Sequence, residues 1–106
     1  MATLVSIYRH PADAAGFDKY YQSTHLPLAK TIPGLKSCVV SRGTVGTPQG
    51  PSGYHRVAIL GFESMDALMK GLASPEGQAT AADLANFAQS GAEVLVFDSE
   101  VVFKAD

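Results

Sequence analysis

Apolar positions recur with a period of two in four runs of the chain and with a helical period in two others. Residues 3–9 (TLVSIYR) form a short β-rich run that ends at His10-Pro11, where proline removes a ladder donor. Asp13 then caps a predicted helix over residues 14–25. Phe17, Tyr21, His25 and Leu28 step by four, four and three, which sets them on one helical face. Asp18, Lys19 and Gln22 lie off that face and suit water. Leu26 precedes Pro27, so the helix is expected to kink or end there.

Pro33-Gly34 marks a turn, and residues 35–45 (LKSCVVSRGTV) read as the second strand. Residues 46–53, rich in glycine and proline, form an exposed loop. The third strand spans residues 54–63 and makes a long hairpin with the second. Ser64 caps a short helix that runs to about Leu72, with Asp66 in its first turn. Ser74-Pro75-Glu76 starts another, whose predicted apolar stripe is Ala81, Leu84, Ala85 and Ala88, widened by Phe87. Gly91 stops it, and residues 93–104 (EVLVFDSEVVFK) are the last predicted strand.

The element order is βαββαβ. It implies one ferredoxin-like α+β domain over residues 1–106, with one antiparallel sheet and the helices on one face. In the last strand Leu95, Phe97, Val101 and Phe103 point one way, and Val94, Val96 and Val102 the other. The first and third strands are also apolar on both sides, through Val5 and Ile7 against Leu4 and Tyr8, and Val57 and Ile59 against Ala58 and Leu60. Helices cover one face only, and a half-solvated antiparallel sheet alternates apolar with polar. A homodimer joined sheet to sheet is the expected cover for the second face.

Composition narrows the partners. A formal net charge of -2 provides no basic field for nucleic acid. No apolar run approaches the ~20 residues of a membrane helix, so no membrane association is expected. Cys38 is the single cysteine, which suits a reducing compartment. With no secretory signal in its first residues, the chain is expected to be cytoplasmic. Mid-strand, Cys38 is expected to be a buried small hydrophobe.

His25 is the first candidate for chemistry. Its face is otherwise aromatic and aliphatic, so the imidazole should look toward the sheet, where it could exchange protons. The competing reading is a core histidine bonded to a carbonyl, or one that pins the kink at Pro27. Tyr21 and Tyr8 each offer an apolar ring with one polar tip, suited to holding a small organic substrate. Phe62, Phe87 and Phe97 are candidates to line the same cavity, with plain core packing as the alternative. Asp98 and Glu100 lie about 7 Å apart on one strand face, a spacing that a solvated acidic patch explains as well as a catalytic pair. His10, His25, His55 and Cys38 form no close ligand pair, so no metal site is expected. A single axial histidine to haem needs no motif and stays open. No glycine-rich nucleotide signature and no Gly-x-Ser-x-Gly elbow is present.

The segment Phe17-Asp18-Lys19-Tyr20-Tyr21-Gln22-Ser23-Thr24-His25-Leu26-Pro27-Leu28, followed by Ile32-Pro33-Gly34-Leu35, resembles the EthD family. So does Ser74-Pro75-Glu76-Gly77-Gln78 with Asp83 and Asn86-Phe87 after it. The resemblance spans essentially the whole chain. It implies a dimeric α+β barrel, a small organic substrate, an oxidoreductase label and a link to ether degradation. It adds Asp83 to the substrate-binding candidates, against the alternative of an exposed helical carboxylate. Members and neighbours of such barrels include both cofactor-free enzymes and haem-handling proteins, so no cofactor is expected and haem stays open. Fold does not choose among the chemistries of such barrels. Three readings follow: a cofactor-free enzyme that moves a proton through His25, a non-catalytic carrier of a small molecule or haem, and an accessory protein to an oxygenase.

Overall fold

The computed structural model describes residues 1–106. Strand β1 (Ala2–Arg9) leads into a helical run in three parts: α1 (Ala14–Tyr20), a wide π turn (Tyr21–His25) and α2 (Leu26–Ala29). Strand β2 (Leu35–Val40) follows, then the two-residue pair β3 (Gly46–Thr47) and β4 (Gly50–Pro51), then β5 (Tyr54–Phe62). Helices α3 (Met65–Ala73) and α4 (Pro75–Phe87) lead to β6 (Ala92–Asp98). Four strands form one antiparallel sheet in the order β2-β5-β1-β6. This is the ferredoxin-like α+β arrangement that the sequence predicts.

One face of the sheet carries the core. Alternation in β1 buries Ala2, Leu4, Ser6 and Tyr8, and in β5 it buries Ala58, Leu60 and Phe62. Leu68 of α3 and Ile32 close over the aliphatic end, while Phe17, Tyr21 and Phe87 close over Tyr8 at the aromatic end. Helices α3 and α4 meet at a corner where backbone approaches backbone. A Cβ on Gly71 would lie 2.7 Å from the Pro33 carbonyl oxygen, and one on Gly77 would strike the Gly71 carbonyl.

The first helix runs past Leu26-Pro27 instead of ending there. Proline has no N–H and its ring crowds the carbonyl one turn back. The π turn absorbs this: the Leu26 N–H bonds the Tyr21 carbonyl, one residue further back than in an α-helix. The wide turn also corrects the helical phase. In an α-helix of about 3.6 residues per turn, steps of four drift around the axis. Here Phe17, Tyr21, His25 and Ala29 are all buried, so Ala29 rather than Leu28 completes the face.

Helix α4 is rotated from its predicted orientation. Its buried residues are Gly77, Thr80, Asp83 and Phe87, while Ala81 and Ala85 are exposed. The predicted stripe assumes that a carboxylate faces water; Asp83 instead faces inward, where it has hydrogen-bond donors.

Two strands are shorter than predicted. β2 stops at Val40, beyond which the Ser41 hydroxyl, not a backbone carbonyl, accepts the Val57 N–H. β6 stops at Asp98 because its only partner is β1; the pairing ends at Ala2–Asp98, and the Ser99 N–H turns onto the Met1 carbonyl. Asp98 therefore ends the strand with Glu100 outside it, so the two do not share a strand face. Cys38 is exposed, not buried, because β2 is an edge strand.

The other sheet face carries no helix. Val39, Ile59, Val5 and Leu95 pair in register across all four strands and make an apolar row. Ile59, Val39 and Leu95 are exposed. No helix is long and apolar enough to cross a membrane.

Candidate functional site

The π turn and α4 bring two side chains together under the sheet. His25 Nδ1 lies 2.9 Å from Asp83 Oδ2, and both residues are buried. Asp83 Oδ1 accepts from the Tyr20 hydroxyl at 2.6 Å and from Asn86 Nδ2 at 3.0 Å. Burial pushes the Asp83 carboxyl up, but the bonds from Tyr20, Asn86 and His25 outweigh it and hold the group below the usual carboxylate range. Asp83 is thus ionised and acts only as an acceptor. His25 must place a proton on Nδ1 to meet it. In the neutral ring this leaves a lone pair on Nε2, which has no protein partner. The ring is held by Phe87, centroids 4.6 Å apart, and stacks on Tyr21 at 5.6 Å.

His25 opens on a cleft of about 80 Å³ between the helices and the sheet. Leu4, Ile32, Leu72 and Leu84 give it apolar walls. Its polar groups are Ser6, Tyr8, His25 and Thr80, with no lysine, arginine or carboxylate among its lining residues. Burial raises the Tyr8 phenol above its ordinary value, so it stays protonated and can donate. The arrangement places one base and hydroxyl donors in a largely apolar cleft without charged side chains in its lining. That is what abstraction of a proton requires when negative charge develops on a substrate oxygen.

The other predicted site residues fall in different places. Tyr21 is fully buried, with burial raising its phenol, and it packs between Tyr8, Phe17 and His25. Phe87 packs on His25 and lines a second cleft of about 310 Å³ on the outer side, with Tyr20 and Asn86. Phe62 is wholly buried in the aliphatic core and does not reach the His25 cleft. Phe97 lies on the open sheet face opposite Thr3, so the sheet separates it from the cleft.

Sequence reasoning missed Tyr20 and Asn86. The signal for Asn86 was its spacing of three from Asp83 on a helix, which makes the two neighbours. For Tyr20 the one signal was its place in the segment that carries the family resemblance, because its reach to Asp83 crosses 63 residues of chain. A third cleft, of about 220 Å³, is lined by His10, Asp18, His55 and Arg56 among others. Asp18 there accepts from His55 at 2.7 Å and Arg56 at 2.8 Å, which ties α1 to β5. No group of three or more His, Cys, Asp or Glu side chains is placed to hold a metal ion.

The family model for the EthD domain matches residues 9–91, which include the π turn, Asp83 and Asn86. The chain belongs to the EthD family. This EthD chain is 42% identical over 102 residues to an uncharacterized 11.0 kDa protein of the thcB-thcC intergenic region of Rhodococcus erythropolis, covering 96% of this chain and 98% of that one. An EthD family protein from Bacillus halodurans superposes with a TM-score of 0.87 at 30% identity, covering 94% of this chain and 99% of that one. The fold is also that of SnoaB, a cofactor-independent oxygenase from Streptomyces nogalater, with a TM-score of 0.64 at 17% identity, covering 98% of this chain and 96% of that one. Family membership agrees with a small-molecule enzyme-like or binding role for the EthD chain.

Proposed function

We propose that this EthD chain is a cofactor-independent enzyme that removes a proton from a small, uncharged, largely apolar molecule, with His25 Nε2 as the base. The observation that carries this reading is the Asp83–His25 pair, which fixes the lone pair of a buried imidazole at an apolar cleft. The substrate is a weakly acidic C–H or O–H compound whose developing oxyanion takes hydrogen bonds from Tyr8 and Ser6. The cleft offers no counter-charge to a carboxylate or phosphate. An extended, electron-rich anion formed there would pass one electron to dioxygen, giving a substrate radical and superoxide that combine to a peroxide, which is the route to the oxidoreductase class. SnoaB, of the same fold, is a cofactor-independent oxygenase, and that supports the route.

The functional unit in this reading is a homodimer joined through the row Val39, Ile59, Val5 and Leu95. The experiment is hydrogen–deuterium exchange at the C–H α to the carbonyl in a panel of neutral ketones, followed by NMR. The natural chain should accelerate exchange of at least one compound and His25→Ala should abolish it. Saturable binding with exchange at the uncatalysed rate would make the protein a carrier instead.

A further inference from the structure

Tyr20 and His25 stand five positions apart in the chain, yet both reach Asp83 of α4. In a regular α-helix, of about 3.6 residues per turn, such positions diverge around the axis. The π turn over Tyr21–His25 closes one residue later, which returns His25 to the side of Tyr20. The two side chains take opposite oxygens of one carboxylate. The Tyr20 hydroxyl donates to Oδ1 at 2.6 Å, and His25 Nδ1 meets Oδ2 at 2.9 Å. Asn86 Nδ2 is a second donor to Oδ1, at 3.0 Å. Tyr21, the neighbour of Tyr20, belongs to the aromatic core instead and makes no bond to Asp83.

This carboxylate joins two clefts. Tyr20 and Asn86 line the outer cleft of about 310 Å³, and His25 lines the inner one. Asp83 lines neither and bonds residues of both. Hydrogen bonds that share one acceptor are coupled. A carboxylate that already accepts from a phenol pulls less strongly on an imidazolium, because part of its charge is engaged. Few other groups compete for the His25 ring. Phe87 of α4 and Tyr21 pack on it, and β1 and α3 bring the protonated Tyr8 phenol and Leu72 to its cleft. The cation Arg56 of β5 is held over the Tyr21 ring, 4.9 Å from its centroid, and bonds Asp18. Asp83 is the charged group that His25 bonds.

We propose that Tyr20 is a positioning residue that, from the outer cleft, sets the basicity of His25 through Asp83. The catalytic meaning of this link rests on His25 as the base proposed above; the link itself does not.

The test is an NMR titration of the His25 ring in the full chain, natural and Tyr20→Phe. Phenylalanine keeps the ring that stacks on Phe87 at 5.4 Å and removes only the hydroxyl. The carboxylate, with one donor fewer, then holds the imidazolium more tightly. The His25 midpoint should rise by about half a unit to one unit, and the acid limb of the ketone-exchange profile should move up with it. A midpoint that is unchanged or lower overturns the proposal. Adding Tyr20→Phe to Asp83→Asn should move the midpoint no further. A rise that persists without the carboxylate means that Tyr20 does not act through Asp83, and the proposal fails. The titration needs no substrate. A raised midpoint in a protein that exchanges no ketone would uphold the link from Tyr20 to His25 and sink the catalytic reading alone.

Discussion

Asp83 meets His25 across 58 residues of chain, carboxylate to imidazole at 2.9 Å, on two helical segments that the sheet holds against each other. Neither residue would be buried at low cost alone. The carboxylate has three donors and the imidazole one anion, so each satisfies the other's demand.

Asp83→Asn should separate the two roles of this pair. The amide keeps the shape but cannot fix the His25 proton on Nδ1 as an anion does. Proton-exchange activity should fall by at least roughly a hundredfold while the fold survives with a loss of about 1–3 kcal/mol. Urea unfolding and the NMR exchange assay read the two effects separately. Unchanged exchange in a folded variant would remove Asp83 from the mechanism.

The same carboxylate makes stability depend on pH. Asp83 titrates lower in the folded chain than in the unfolded one, where an aspartate titrates near ~3.9. Its contribution is complete above that value and is lost as pH falls through the depressed folded value. The stability gap between the natural chain and Asp83→Asn should therefore narrow between neutral pH and ~pH 3 in urea melts. Asp18, also held low against burial by His55 and Arg56, adds to the same acid limb. A gap that widens on acidification would contradict the assignment.

The order of elements was legible in the sequence because it rests on local signals. Asp13, Ser64 and Ser74 each accept the backbone N–H that a helix cap should accept. Strand alternation sorted β1 and β5 into two apolar faces, and the structure shows that the helices cover the one with Leu4, Tyr8, Ala58 and Leu60. The face of α4 was not legible, since placing Asp83 inward depends on donors from Tyr20 and His25, which are distant in sequence. The end of β6 was not legible either: Val101 to Phe103 have strand propensity, but β1 offers no residue to pair with them. Phe62 and Phe97 looked alike in sequence and differ only in register, one against the helices and one on the open face.

The π turn is one residue longer than an α-helical turn and holds His25 in place. Deleting Thr24, which is exposed, should restore a regular helix. The melting temperature should fall, because Pro27 then meets the carbonyl one turn back in a regular helix, and exchange activity should fall because the His25 ring is displaced from Asp83. Loss of the Asp83-dependent His25 NMR shift would report that displacement directly. Full activity after the deletion would show that the wide turn has no part in the site.

The α3–α4 corner depends on glycine at a close approach. A Cβ at Gly77 meets the Gly71 carbonyl and the Leu72 backbone, neither of which can swing away as a side chain would. Gly77→Ala should destabilise the chain by about 1–3 kcal/mol despite the better helix propensity of alanine. Chemical denaturation measures it, and a neutral or stabilising result would mean that the corner is looser than its geometry.

The open sheet face gives the last prediction. Ile59 sits mid-row, between Val39 of β2 and Val5 of β1, so an interface over this face would bury it. Ile59→Asp would then place a carboxylate in an apolar contact with no partner, which costs several kcal/mol unless the contact is given up. In a single chain the same side chain is exposed, so the monomer fold should tolerate the change. Light scattering should show a dimer for the natural chain and a monomer for Ile59→Asp, with the dissociation constant raised at least roughly a hundredfold. Circular dichroism should be the same for both. If the natural chain is itself monomeric at micromolar concentration, the apolar row meets some other partner and the barrel reading fails with it.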